Sequence, residues 1–180
     1  MPALRRPRAA VSGAGPLRAL RPGPITAEAF APYGWLASAD GRPARAINQG
    51  SSQRIDGIGE LALTAEGGTP CLAMFRAQAQ DLRGPWQLLE RHRMGTQTFV
   101  PLCGVRYVVL VATGDAAPEP ATLAAFTVAG HQAVTLRAGT WHHALIALDA
   151  GDFVVIERAT AQLDCELATL VEPITLDGPR

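Results

Sequence analysis

Lysine is absent from the 180-residue sequence: all 16 basic residues are arginine, and 16 acids balance them to a formal charge of zero. A polyanion binder would carry a basic excess or stripe, so nucleic acid is not expected as a partner. Cysteine is scarce, with Cys71, Cys103 and Cys165 forming an odd set that lacks any CxxC spacing. That speaks against a disulfide framework or a Cys-rich zinc site, and for reduced thiols in a cytoplasmic protein. No stretch approaches the 18 or so apolar residues of a membrane span, so no membrane partner is expected either. Acids are missing from the start of the chain, where Arg5, Arg6, Arg8, Arg18 and Arg21 all precede the first one, Glu28. This head has the arginine content of a transit peptide, but its prolines spoil an amphipathic helix and it has no apolar h-region. Residues 1–24 are therefore read as a disordered extension, residues 25–172 as a single catalytic domain and 173–180 as a C-terminal tail.

What is present is an apolar, turn-rich body: 48% hydrophobic residues with 18 Gly and 14 Pro. The segment ITAEAFAPYG reads as one short helix, with Thr26 as N-cap, Glu28 in the first turn, and Pro32 and Gly34 beyond it. Residues 35–68 have few apolar runs and read as loops and short edge strands. Compact β-type runs follow at 71–77, 86–92, 96–102, 105–113, 123–128, 132–137, 142–148 and 152–158, separated by turn residues such as Gly84-Pro85, Gly104, Gly130 and Gly139. Short strands with turns every 8 to 12 residues or so indicate an all-β sandwich or barrel. No helical run is long enough for a βαβ crossover, which speaks against a parallel sheet. The continuous run VVLVA after Tyr107 predicts a strand covered on both faces.

Polar residues interrupt these runs in an informative way. Period-2 alternation in WQLLERH places Trp86, Leu88, Glu90 and His92 on one face, with Glu90 and His92 about 6 to 7 Å apart along the strand. Side chains from such neighbours can converge on one ion. The strand returning after Gly95 brings Gln97 close to His92, and the turn from Arg137 to Thr140 delivers Trp141-His142-His143 onto another strand.

Glu90-x-His92, four residues, Gln97, six residues and Gly104, followed later by Arg137-x-Gly139-x-x-His142, keep the spacing of the two motifs of the cupins. Glu90 stands where the first His of the motif is expected, Gln97 where the acid is expected, and Arg137 in place of Pro. The longer strings LERHRMGTQTFVPL, TWHHALIA, FRAQ, INQG and AFAPYG resemble the ureidoglycolate lyase family of purine and allantoin breakdown, in order from about Ile25 to Thr169. This resemblance implies a mainly β cupin jelly roll, a double-stranded β-helix with a short N-terminal helix. It also implies a cytoplasmic homodimer that cleaves (S)-ureidoglycolate to glyoxylate and urea with a divalent metal, nickel by family resemblance.

On that basis Glu90, His92, Gln97 and His142 are the expected metal ligands, a two-nitrogen, two-oxygen set suited to borderline ions. Glu90, His92 and His142 are also the expected catalytic groups. If no ion binds, one histidine becomes the general base and Glu90 its orienting partner. The substrate carboxylate calls for a planar cation, and Arg76, read as inward with Leu72 and Met74, is the first candidate; Arg158 is a further one. Asn48 and Gln49 in INQG are candidates for the urea end. Two other readings compete: another metal-dependent small-molecule cupin, an isomerase or dioxygenase, and a non-catalytic metabolite sensor.

Overall fold

Residues 17–161 and 164–178 are described by the structure, a computed structural model. In chain order the elements are β1 (Arg18–Leu20), β2 (Gly23–Pro24), α1 (Ala27–Phe30), β3 (Gly34–Ala37), β4 (Arg45–Ile47), β5 (Ser52–Arg54), β6 (Thr69–Ala77), β7 (Trp86–Arg91) and β8 (Gln97–Pro101). There follow β9 (Gly104–Ala112), β10 (Ala124–Gly130), β11 (Ala133–Leu136), β12 (Trp141–His142), β13 (Ile146–Ala147), β14 (Gly151–Ala159) and β15 (Glu166–Leu176). The larger sheet runs β1-β15-β7-β12-β9-β10-β2 with β13 also on β9, the smaller runs β3-β11-β8-β14-β6, and β4-β5 form a separate ribbon. This is a mainly β architecture, as the turn spacing led one to expect, and its curled sheets are of the jelly-roll type that the family resemblance implies. Among the described residues no helix is long and apolar enough to cross a membrane.

The two sheets share one interior. Tyr107, Val109 and Val111 of β9 pack with Phe99 of β8, Val134 of β11 and Val155 of β14, all buried. The alternate residues of β9, Val108 and Leu110, join a second apolar layer with Leu89, Trp141, Ile146 and Ile174. Both faces of β9 are therefore covered within the chain itself, which is why its sequence is continuously apolar. The short helix forms as expected, the Ala29 N–H donating to Thr26 Oγ1 at 3.2 Å.

Several boundaries differ from the sequence reading. Arg18–Leu20 pairs in parallel with Ile174–Leu176, and Gly23-Pro24 pairs with Phe126-Thr127, so the fold begins inside the stretch assigned to the head and ends inside the stretch assigned to the tail. Ile174 and Leu176 are buried. Residues 1–16 lie outside the described residues. The run at 142–148 is not one strand but two short ones, β12 and β13. Trp86 packs in the layer of Leu89 rather than on the face of Glu90. The partner strand β15 carries a register shift between Thr169 and Ile174 at this point, where Pro173 lacks the N–H that a regular ladder needs.

Candidate active site

Inward-facing positions change from apolar to polar at one end of the interior. On β8 the sequence of inward residues runs from Phe99 to Gln97, and on β14 from Phe153 through Val155 to Glu157. On the opposite sheet Glu90 of β7 pairs directly with His142 of β12, which in turn pairs with Val111. The alternation that packs the core thus also places polar groups from both sheets at its edge. Gly139, with φ of +86°, makes the turn into β12, and its N–H donates to the His92 carbonyl at 2.7 Å, tying the two motifs together.

Glu90, His92 and His142 each offer one ligand atom, and these atoms lie within 4.8 Å of one another. His142 Nδ1 faces the Thr140 carbonyl at 3.0 Å and His92 Nδ1 faces the Asp164 carbonyl. A carbonyl only accepts, so both Nδ1 atoms carry the proton and both Nε2 atoms present a lone pair, the arrangement found around metal-ligating histidines. The Nε2 atoms of His92 and His142 and Oε1 of Gln97 are buried and find no hydrogen-bond partner among the described residues. His142 Nε2 stands 3.5 Å from Glu90 Oε1 without forming a hydrogen bond. Two unpartnered imidazole nitrogens beside a carboxylate suit a divalent cation and are expensive to leave empty, and the unpartnered Gln97 oxygen is a further buried acceptor. The Gln97 amide is turned by its N–H, which donates to Glu157 Oε2 at 2.9 Å, so the oxygen is the atom left free.

The electrostatics support an ionised Glu90. With no ion bound, a proton on His142 Nε2, 3.5 Å from Oε1, would hold the Glu90 carboxyl below the usual range against the opposing effect of burial, with smaller contributions from His92 and from Cys165, whose thiol donates to Oε2 at 3.7 Å; a bound cation would take that proton's place. A cavity of about 210 Å³ adjoins this cluster, lined by His92, Gly95, Thr96, Glu157, Arg158 and Asp164 among others. His143, next in sequence to His142, points away and is half-buried edge-on against Trp86, where burial lowers its pKa.

Three expected substrate contacts are not brought to this cavity. Arg76 faces outward, its side chain 78% exposed, in a bidentate pair with Asp152 across the ladder at 2.9 and 3.2 Å. The inward positions of β6 are instead the small Ala73 and Ala77, packed against the core; side-chain size, not hydrophobicity, set the facing of this edge strand. Asn48 and Gln49 lie exposed at the tip of the β4-β5 ribbon, both at positive φ, where they shape the turn.

Two supporting residues carry no sequence motif and escaped the sequence reading. Asp164 accepts the N–H groups of Arg93 and Met94 on its two carboxylate oxygens, both at 2.9 Å, while its carbonyl orients His92. Arg91, only 2% exposed, sets its guanidinium carbon over the Trp141 ring, 4.1 Å from the centroid, and donates to Glu166 at 2.8 Å and to the Gly114 carbonyl at 3.1 Å. It fixes the backbone between Glu90 and His92 from behind. The only sequence signal for it was a charged residue at an apolar parity.

The sequence profile of the ureidoglycolate lyase family matches residues 17–177, the span over which the sheets are built. The chain is 39% identical over 145 residues to the ureidoglycolate lyase of Burkholderia cepacia, covering 79% of this chain and 81% of that one. It is 32% identical over 151 residues to the ureidoglycolate lyase of Pseudomonas fluorescens (strain Pf0-1), covering 83% and 90% respectively. With its two polar motifs folded onto one point and its whole β framework inside the matched span, the chain belongs to the ureidoglycolate lyase family.

Proposed function

We propose that this chain is a cytoplasmic homodimeric lyase that cleaves (S)-ureidoglycolate to glyoxylate and urea, holding a divalent metal, nickel by family resemblance, on Glu90, His92, Gln97 and His142. The observation that carries this reading is the convergence of the Glu90, His92 and His142 ligand atoms within 4.8 Å of one another, both imidazole Nε2 atoms unpartnered, beside a small cavity that His92 lines; the unpartnered oxygen of Gln97 makes it the fourth candidate ligand.

Ureidoglycolate is a hemiaminal. Its cleavage removes the hydroxyl proton, breaks the C–N bond as the carbonyl forms, and returns a proton to the urea nitrogen; it consumes neither water nor an oxidant. A bound divalent ion would act as a Lewis acid, lowering the pKa of a chelated hydroxyl much as metals lower that of water, from about 16 to about 7 in the best cases. The chain supplies the rest. The backbone carbonyls of Thr140 and Asp164 hold the two imidazoles in one tautomer, and the Glu157–Gln97 hydrogen bond fixes the amide. Asp164 is engaged by two backbone N–H groups, which leaves Glu157 as the cavity carboxylate placed to exchange a proton with the substrate. The cavity accommodates a small hydroxy acid, not a dinucleotide-sized ligand.

A homodimer is supported by the outer face of the smaller sheet, where Leu72 and Met74 of the terminal strand β6 are 74% and 58% exposed. The test of function is direct. Purified protein incubated with ureidoglycolate, with and without chelator, is expected to release urea and glyoxylate in equal amounts, faster than the spontaneous decay and slower once chelated. No acceleration over the spontaneous decay would remove the assignment.

A further inference from the structure

Arg76 leaves the carboxylate of the substrate without a cationic partner from the protein, yet the cavity beside His92 contains another arginine. Arg158, at the end of β14, lines it together with Glu157 and Asp164. Its side chain runs through a slot between two glycines. A methyl group at Gly68 would come within 2.1 Å of Arg158 Nε, and one at Gly95 within 2.6 Å of its Cβ. The Gly68 backbone, at φ of −66°, is one that any residue adopts, so what requires glycine there is space for this arginine.

The guanidinium is also fixed in orientation. Nε donates to the Ala65 carbonyl at 2.8 Å and Nη2 to the Glu66 carbonyl at 3.1 Å, in a short turn where Glu66 itself adopts φ of +48°. Nη1 is buried and has no hydrogen-bond partner among the described residues. Neither cavity acid accepts from it: both Asp164 oxygens accept from the Arg93 and Met94 N–H groups, and Glu157 Oε2 accepts from Gln97. A cationic N–H group stripped of water and left without an acceptor is unfavourable unless an acceptor arrives with a ligand. The planar fork of arginine matches a carboxylate.

We infer that Arg158 is the carboxylate anchor of this site, receiving the carboxylate end of a small 2-hydroxy acid on Nη1, and that Gly68 and Gly95 exist to let it reach the cavity. Naming ureidoglycolate as that acid rests on the function proposed above; the anchor itself rests on the slot, the two carbonyl contacts and the unpartnered Nη1.

The experiment uses the metal-loaded protein and two non-reacting probes, glycolate and its neutral counterpart glycolamide, titrated by calorimetry. Wild type is expected to prefer glycolate. Arg158→Gln is expected to weaken glycolate by roughly ten- to a hundredfold, the loss of one charged hydrogen bond, while glycolamide affinity and metal content stay unchanged and KM for ureidoglycolate rises more than kcat falls. A purely structural role for Arg158 would lower thermal stability without changing the preference between the probes. Should Arg158→Gln fail to fold, Gly68→Ala, which displaces the guanidinium but keeps its charge, is expected to weaken glycolate by about tenfold and spare glycolamide. An unchanged preference in a folded variant overturns the anchor even if urea is released normally. Loss of the preference in a protein that releases no urea supports the anchor and removes only ureidoglycolate.

Discussion

The His92 and His142 rings stand 5.4 Å apart, centroid to centroid and tilted by 48°, each with Nδ1 against a backbone carbonyl and Nε2 unpartnered beside Glu90. They arrive from strands separated by fifty residues of sequence (92 and 142) and meet because β7 and β12 are hydrogen-bonded neighbours in the larger sheet. Backbone pairing thus sets the spacing of the donors, and the Asp164 and Thr140 carbonyls set their direction.

A site of this kind should couple metal binding to stability. Adding a divalent ion to metal-free protein is expected to raise the unfolding free energy by about 2.7 kcal/mol at a hundredfold excess over Kd. Glu90→Ala and His142→Ala should show no such rise and should lose activity together with metal content. Thermal unfolding with and without nickel, alongside metal analysis, checks this; an undiminished rise in both variants would show that the ion binds elsewhere.

Asp164 should matter to the metal without touching it. Replacing it by alanine leaves the Arg93 and Met94 N–H groups without their acceptors and frees the segment whose carbonyl orients His92. The expected outcome is a loss of about 1 to 3 kcal/mol in stability and a roughly 10- to 100-fold weaker metal affinity, the range seen when outer partners of ligating histidines are removed. Asp164→Asn, which keeps one acceptor oxygen, should fall between. Competition titration with a chromophoric chelator measures the affinity.

Much of this site could be read from spacing alone, because Leu89, Glu90 and Arg91 alternate regularly at the end of β7 and His92 follows directly, even though the period breaks at Trp86. Where alternation fails, the sequence misleads. On β6 the larger apolar residues Leu72 and Met74 point outward, and Ala73 and Ala77 fill the narrow inner space, so the inward assignment of Arg76 followed the wrong rule. β15 is the longest strand, yet its register shift near Pro173 breaks the period that would reveal it. β1 is held by parallel pairing to a strand more than 150 residues later, a long-range contact with no local signature in the arginine-rich head. The contributions of Asp164 and Arg91 come through backbone and ring contacts that no motif encodes.

The exposed row on β6 predicts a response of oligomeric state. Met74→Arg places a charge in the middle of an apolar outer face whose neighbours are Leu72 and Val154. It should shift the protein to a monomer on size-exclusion chromatography with light scattering, leaving the fold by circular dichroism intact. A dimer that survives both Met74→Arg and Leu72→Arg would place the subunit contact on another surface.

Part of the acid sensitivity should be traceable to one surface pair. Asp149 accepts from Arg106 Nε and Nη2, both at 2.9 Å, and from the Arg106 backbone N–H at 3.1 Å. The guanidinium hydrogen bonds first, and the backbone N–H second, hold its carboxyl at about 2, against an ordinary value of 3.8. A carboxyl whose pKa is lower in the folded than in the unfolded chain stabilises the fold at pH values above the unfolded pKa. That contribution disappears as pH falls from near 4 to about 2, where the folded-state group also takes up its proton. Because Asp149 is 41% exposed, solvent screening limits the effect to about 1 kcal/mol or less. Urea unfolding of wild type and Asp149→Asn should therefore differ by that amount at neutral pH, converge toward pH 2, and differ less in high salt. A gap that persists unchanged at pH 2 would mean that the substitution acts through packing and not through the charge.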